Sequence, residues 1–245
     1  MNEVSMKLPE LNEIWQKTME WQPDSDTREQ FQQLYEQILL GNQQLNLTRI
    51  TEPTEFWEKH LWDSLRGISP LRNRLKEESK LIDIGTGAGF PGLPVAIAFP
   101  TSSITLLDST RKKLNFIDTV LTNLSLTNAK TLVGRAESVG QMRSHREAYD
   151  IALIRAVAAP SVCAEYSLPL LKIGGVAVLY RGQWEDKETE ALASAVQRLG
   201  GKIQSVEGFA TPLSESVRHC VYLEKVAPTP DSFPRPVGVA TQKPL

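Results

Sequence analysis

Apolar positions in this chain follow a helical period at first and a strand-like pattern later. In "SDTREQFQQLYEQILL", Phe31, Leu34, Tyr35, Ile38 and Leu39 share one helical face. Asp26, three residues before Glu29, predicts a capping box at the start of that helix. "PTEFWEKHLWDSL" repeats the pattern with Phe56, Trp57, His60, Leu61 and Leu65. No strand signal precedes residue 80, so residues 1–75 are expected to form a helical extension.

Beyond it, apolar runs alternate with helical patterns. "KLIDIG", "SSITLLDS", "AKTLVG", "YDIALIRAV" and "GGVAVLYRG" read as strands. Leu114, Ile117, Val120, Leu121 and Leu124 mark one intervening helix; Leu192, Ala195, Val196 and Leu199 mark another, stopped by Gly200. Strands apolar throughout and separated by helices predict a parallel sheet covered on both faces. "KIQSVEGFA" and "RHCVYLEKV" are joined by a linker too short for a crossover helix, which predicts an antiparallel hairpin at the sheet edge. The expected core is therefore an α/β, Rossmann-like domain over residues 76–226, with a seven-stranded, mostly parallel sheet. Residues 227–245 are proline-rich and aperiodic, and are expected to form an extended tail.

Composition narrows the class only a little. Of 245 residues, 41% are apolar and 23% charged, as in an ordinary globular protein. No run approaches the roughly 20 apolar residues of a membrane span, and the N-terminal stretch lacks the basic-then-apolar order of a secretory signal. Two cysteines, Cys163 and Cys220, make neither a zinc site nor a disulfide framework, so a cytoplasmic protein without a metal or membrane partner is expected. The net charge is −2, but residues 1–50 hold eight acidic against four basic side chains. The remainder is mildly basic, which is compatible with a local RNA-facing patch.

Candidate chemistry concentrates in "LIDIGTGAGFPGLPVAIAFP", where four glycines and three prolines interrupt an apolar run. Gly85, Gly87 and Gly89 follow the first strand. Gly85 permits a tight turn, and Gly87 lets a ligand approach the backbone. A dinucleotide fingerprint needs its third glycine at position 90, which is Phe90, and no Lys-Ser/Thr pair makes this a Walker loop. The G-x-G-x-G spacing with Asp83 instead resembles S-adenosyl-L-methionine-dependent methyltransferases of class I. Asp108 ends the second strand, 23 residues beyond Gly85, where a carboxylate can accept both ribose hydroxyls. The competing reading is a flexible glycine-rich connection followed by a helix-capping aspartate.

The acceptor is narrowed by the chemistry of methyl transfer. Methylating an exocyclic amine needs acceptors on an Asn/Asp-Pro-Pro-aromatic turn after the fourth strand, a place that here reads "IRAVAAPS". Methylating pyrimidine C5 needs a cysteine nucleophile; Cys163 shares a helical face with Tyr166 and Leu170 and reads as core. A nucleophile with its own lone pair, such as guanine N7, needs neither device.

"LNLTRI" (45–50), "HLWDSL" (60–65), "LIDIGTGAGFPGLPVAI" (81–97), "LLDSTRKKLNFI" (106–117), "GRAE" (134–137), "IRAVA" (154–158) and "FPRPVGVATQKPL" together resemble the RsmG, or GidB, family. The resemblance runs from about Phe31 to Leu245. It implies S-adenosyl-L-methionine-dependent methylation of guanine N7 in the 530-loop of 16S ribosomal RNA, with the small ribosomal subunit as a partner. By position, the family's cofactor contacts fall on Gly85, Phe90, Asp108, Ser109, Thr110, Ala136, Glu137 and Arg155. Glu137 is placed to accept from the adenine amino group, Phe90 to pack on the methionine or substrate side. Arg155, the catalytic candidate, would hold the cofactor carboxylate or an RNA phosphate. The chain departs from the family at Gly41, usually tryptophan, and at Pro236 and Gln242, where lysines are common.

Other residues carry two readings. His60 beside Asp63 is a structural histidine or a substrate contact. Arg111, Lys112 and Lys113 open a helix, where cations oppose the dipole, so they bind phosphate or are merely solvated. Arg181, Arg218 and Arg235 are weaker RNA candidates. The alternatives to an rRNA enzyme are a methyltransferase of another RNA, a protein or a small molecule, and a ribosome-assembly factor that only binds RNA.

Overall fold

A computed structural model of the chain describes residues 6–245; the first five residues of the expected N-terminal extension lie outside the described residues. Helices α1 (Asn12–Met19) and α2 (Ser25–Leu45) come first. A continuous helical stretch follows: α3 (Pro53–Phe56), a π-helical segment Trp57–Trp62, α4 (Asp63–Ile68) and a 3₁₀ segment Ser69–Arg74. Strands and helices then alternate as β1 (Lys80–Ile84), α5 (Gly92–Ala98), β2 (Ser103–Asp108), α6 (Arg111–Asn123), β3 (Ala129–Val133), α7 (Ala136–Gly140), β4 (Tyr149–Arg155) and α8 (Pro160–Ser167). After a short 3₁₀ segment, Leu168–Leu170, come β5 (Leu171–Arg181), α9 (Asp186–Arg198), β6 (Gly201–Ala210), β7 (Val217–Lys225) and α10 (Val239–Gln242).

The seven strands form one sheet in the order β3-β2-β1-β4-β5-β7-β6. β7 runs antiparallel to both β5 and β6, and the other pairs are parallel. The strand order reverses between β1 and β4, which opens a crevice at the carboxyl ends of these strands. Side-chain alternation divides the core in two. Leu81, Leu106 and Leu153 face the N-terminal helices with α5 and α6, while Ile82, Leu107 and Ile154 face α7, α8 and α9. Trp15, Trp57 and Trp62 are almost wholly buried on the first face. Burying a large apolar side chain contributes roughly 1.5–3 kcal/mol, so the extension shares one core with the sheet.

Three expectations change. The cap of α2 is Asp24, whose carboxylate accepts from Thr27 N at 2.8 Å; Asp26 sits in the first turn, and no capping box forms there. The second amphipathic stretch widens into a π segment, which brings Glu58, Trp62, Asp63 and Ser64 inside as well as the positions its 3.6 period selects. The expected extended tail is packed and includes a helical turn: Phe233 and Ala240 are buried in the second core, and Val239–Gln242 form α10. The departure at Gly41 also has a structural counterpart. A Cβ there would lie 2.2 Å from the Phe116 ring of α6, so Phe116 fills the space against the glycine. No helix among the described residues is long and apolar enough to cross a membrane.

Candidate active site

At the end of β1 the chain turns through Gly85 to Gly89, and the N–H groups of Gly85 and Thr86 both donate to Leu107 O of β2, at 2.8 and 2.9 Å. Gly85 and Gly87 have φ of +70° and +58°, a region that costs other residues about 1–2 kcal/mol. Their missing side chains serve different ends. A Cβ on Gly85 would stand 2.7 Å from Val157 Cγ2, whereas one on Gly87 would meet only Gly85 O at 3.8 Å. Gly85 thus lets the loop pack against the turn after β4, and Gly87 presents bare backbone to open space.

Two carboxylates hold this loop. Asp108 accepts from Gly87 N at 2.9 Å on Oδ2 and from Thr110 N at 2.8 Å on Oδ1, which ties the loop to the start of α6. Each oxygen retains a lone pair for a further donor. Asp83 is fully buried; its Oδ2 accepts from Thr86 Oγ1 at 2.6 Å and Gly92 N at 2.8 Å, while Oδ1 has no partner. Burial raises the Asp83 pKa to about 6 against the pull of those donors.

Between the ends of β1, β2 and β3 lies a cleft of about 90 Å³, lined in part by Gly85, Asp108, Ser109, Ala136 and Glu137, with Arg135, Val157 and Tyr166 beside them. Most of the candidate residues converge there, and Thr110 joins them through its bond to Asp108. A larger hollow of about 270 Å³ lies against the N-terminal helices, lined by Trp15, Phe31 and Trp57 among others. It contains none of the candidate residues and is away from the strand ends, so chemistry points to the smaller cleft.

Glu137 has a structural duty that the sequence did not reveal. Its Oε1 accepts from Tyr166 Oη at 3.1 Å and from Gly238 N of the tail at 3.0 Å. Burial, followed by the Glu137 charge, pushes the Tyr166 pKa far upward, so the hydroxyl stays a donor. An adenine amino group would have to find the other carboxylate oxygen.

Phe90 and Arg155 do not line the cleft; they meet in a separate cluster with the π segment. Arg155 Nη1 donates to Lys59 O at 3.0 Å and Asp63 Oδ2 at 3.1 Å, and Nη2 faces His60 Nδ1 at 3.4 Å. The His60 ring stacks on Phe90 with centroids 4.3 Å apart and planes 10° from parallel. Arg155 also lies 5.7 Å from the Phe90 centroid, within reach of a cation–π contact. An arginine only donates, so His60 Nδ1 is the acceptor and Nε2 carries the proton, directed at Thr48 Oγ1 2.9 Å away. Burial, and then the cations Arg155 and Lys59, lower the His60 pKa to about 3. Burial raises that of Asp63, partly opposed by Arg155. His60 is therefore a hydrogen-bonded, neutral histidine that also buttresses a candidate site residue.

The remaining candidates separate. Arg111 and Lys112 are exposed at the start of α6, and Lys113 is half-buried. Arg181 donates to Ala158 O at 3.0 Å and Arg218 to Val217 O at 3.1 Å. Arg235 is held by Glu165 at 2.6 Å. Cys163 is buried, and burial pushes its thiol up to about 11, the opposite of an activated nucleophile. Among the described residues, no group of three or more His, Cys, Asp or Glu side chains is arranged to hold a metal. Thr48, Tyr166 and Gly238, which brace the two clusters, carried no local sequence signal for that role.

Comparison with known proteins agrees with this geometry. The family model described as rRNA small subunit methyltransferase G, or GidB, matches residues 27–220. The chain is 67% identical over 240 residues to the ribosomal RNA small subunit methyltransferase G of Nostoc punctiforme, covering 97% of this chain and 98% of that protein. It is 58% identical over 249 residues to the Trichodesmium erythraeum protein of the same name, covering 100% and 98%. A SAM-dependent methyltransferase from Methanosarcina mazei superposes with a TM-score of 0.52 at 15% identity, over 64% of this chain and 97% of that one. The antibiotic-resistance methyltransferase Kmr gives 0.53 at 15% identity, over 65% and 92%. At that identity the two structures show the class I methyltransferase fold alone; the relatives and the family model show more. The chain belongs to the GidB family of rRNA small subunit methyltransferases G.

Proposed function

We propose that this enzyme methylates N7 of one guanine in the 530-loop of 16S ribosomal RNA, with S-adenosyl-L-methionine as donor, in the cytoplasm. The observation that carries the reading is the strand-end cleft beside the reversal of strand order, walled by Asp108, whose carboxylate also holds the bare Gly87 backbone of the loop. Residues there fit the cofactor: Asp108 has lone pairs for two ribose hydroxyls, Ser109, Ala136 and Glu137 line the nucleoside side, and Thr110 fixes the acid. The unpartnered Asp83 Oδ1 suits a cationic ligand group near the loop. When bound, the cofactor supplies a methyl group on a positively charged sulfur, which an in-line lone pair takes without loss of a proton.

Gly85 shapes the loop side of the cleft, and Phe90 and Arg155 stand in the neighbouring cluster, where Arg155 has a defined remaining capacity. Of its five N–H donors, three face Lys59 O, Asp63 and His60, which leaves Nε–H and one Nη2–H for a carboxylate or phosphate. The turn after β4 offers only Ala156, Val157, Ala158 and Ala159, with no side chain to hold an amine. A buried Cys163 cannot attack a pyrimidine. Both features favour an acceptor that brings its own lone pair.

Purified enzyme, S-adenosyl-L-methionine and either naked 16S RNA or small-subunit particles test the reading. N7 methylation makes the base cationic, so mild borohydride followed by aniline should cut the RNA once, in the 530-loop. A methylated product resistant to that cleavage, or methyl transfer only to protein or small molecules, would overturn the assignment.

A further inference from the structure

The C-terminal tail is tethered at every few residues. Arg146 Nη2 donates to Thr229 O at 2.7 Å and its Nη1 to Phe233 O at 2.8 Å; Gln141 Nε2 donates to Pro234 O at 2.8 Å. Arg235 then grips the fully buried Glu165 of α8 three times, through its backbone N at 2.8 Å, Nε at 3.0 Å and Nη2 at 2.6 Å. Three residues later, Gly238 N reaches Glu137 at 3.0 Å. The last contact differs from the others because Glu137 belongs to the cleft wall. Gly238 has φ +84°, a conformation suited to glycine, and it directs the N–H at the carboxylate that Tyr166 also holds. The tail and the cleft therefore share one acceptor oxygen, and the Arg235–Glu165 pair fixes the chain just before it.

We infer that residues Arg235 to Gly238 form a strap that positions Glu137 and the start of α7, so that docking of the tail sets cofactor affinity from outside the cleft. Arg235 and Glu165 are positioning residues here and touch no substrate. The inference rests on the cofactor reading above. It carries a reciprocal consequence: if a docked strap favours the cofactor, bound cofactor must favour the docked strap by the same factor.

The test uses the full chain. Changing Arg235→Met together with Glu165→Gln removes the ion pair without leaving a buried charge. Calorimetric titration and steady-state kinetics should show Kd and KM for S-adenosyl-L-methionine about ten-fold higher, within the usual range of coupling. The kcat at saturating cofactor and the KM for RNA should stay as in wild type. In the wild-type protein, hydrogen exchange across residues 233–242, and at the Gly238 amide in particular, should slow when cofactor is added; this arm decides should the double variant fail to fold. A lower Tm with unchanged cofactor Kd would make the tail a mere brace and overturn the inference. So would a rise in the KM for RNA alone, or exchange in the tail indifferent to cofactor. Wild-type protein that binds no S-adenosyl-L-methionine would instead overturn the cofactor reading, and the inference with it.

Discussion

On one face of the sheet, the π segment brings His60 and Asp63 against Phe90 and Arg155. On the other, the tail brings Gly238 and Arg235 against Glu137 and Glu165. The first contact is made mainly of side chains: a stacked ring pair, a cation and a buried acid, with Lys59 O as one backbone acceptor. The second ends on a backbone N–H. A side-chain cluster of this kind fixes the direction of a guanidinium and can be broken by one substitution. A backbone donor fixes the distance of a strap and is lost only when the strap leaves. On the proposed reading the two flanks have different duties: the N-terminal side orients reacting groups, and the C-terminal side sets how well the nucleoside end is held.

The sharpest way to break the comparison is to act between the flanks. Gly87→Val should reduce S-adenosyl-L-methionine binding below detection in calorimetry while the far-ultraviolet spectrum stays native. Its side chain enters the open space of the loop, and φ of +58° adds strain. Wild-type binding by a folded variant would misplace the cofactor.

Arg155→Ala strikes the N-terminal flank alone. It leaves Asp63 buried and unpaired, so we expect a loss of about 3 kcal/mol in urea unfolding at pH 7. Adding Asp63→Asn should recover most of that stability but not methyl transfer, because the guanidinium is still missing. Recovery of both would make Arg155 purely structural.

A smaller effect comes from His60. Its folded pKa of about 3 is depressed below the ordinary value near 6.5, so folding favours the neutral ring. That contribution is present above pH 6.5 and fades as the pH falls toward 3. Between pH 7 and 5, wild type should therefore lose about 1–2 kcal/mol relative to His60→Gln. Equal pH slopes for the two proteins would contradict the buried neutral assignment. Asp83 works in the opposite direction. Its pKa, raised to about 6, gives stability below pH 4 that is lost as the pH rises through 6. Only the difference between the two proteins isolates His60.

Legibility of these features follows the range of the interactions. Alternating strands and helices, the glycine loop and the β2 acid were all visible because each is written within about ten consecutive residues. The place of β7 between β5 and β6 follows from an antiparallel return that local patterns only hint at. The π segment was hidden because its extra residue per turn leaves the amphipathic pattern readable as ordinary helix, yet it turns Asp63 inward toward Arg155, 92 residues away. The packed tail was hidden because its anchors are single polar contacts, such as Glu137 to Gly238 across 101 residues, amid prolines that show no period. The glycine loop can be read locally; whatever holds the walls of the cleft is distributed over the chain.

The account stands most directly on Asp108, the acid that ties the loop and faces the cleft. Isothermal titration of S-adenosyl-L-methionine into wild type and Asp108→Ala measures it. The wild-type protein should bind with one site, and loss of the charge-assisted acceptor should weaken binding by about 1.5–3 kcal/mol. Equal dissociation constants would mean that Asp108 only braces the loop, and that the cofactor lies elsewhere.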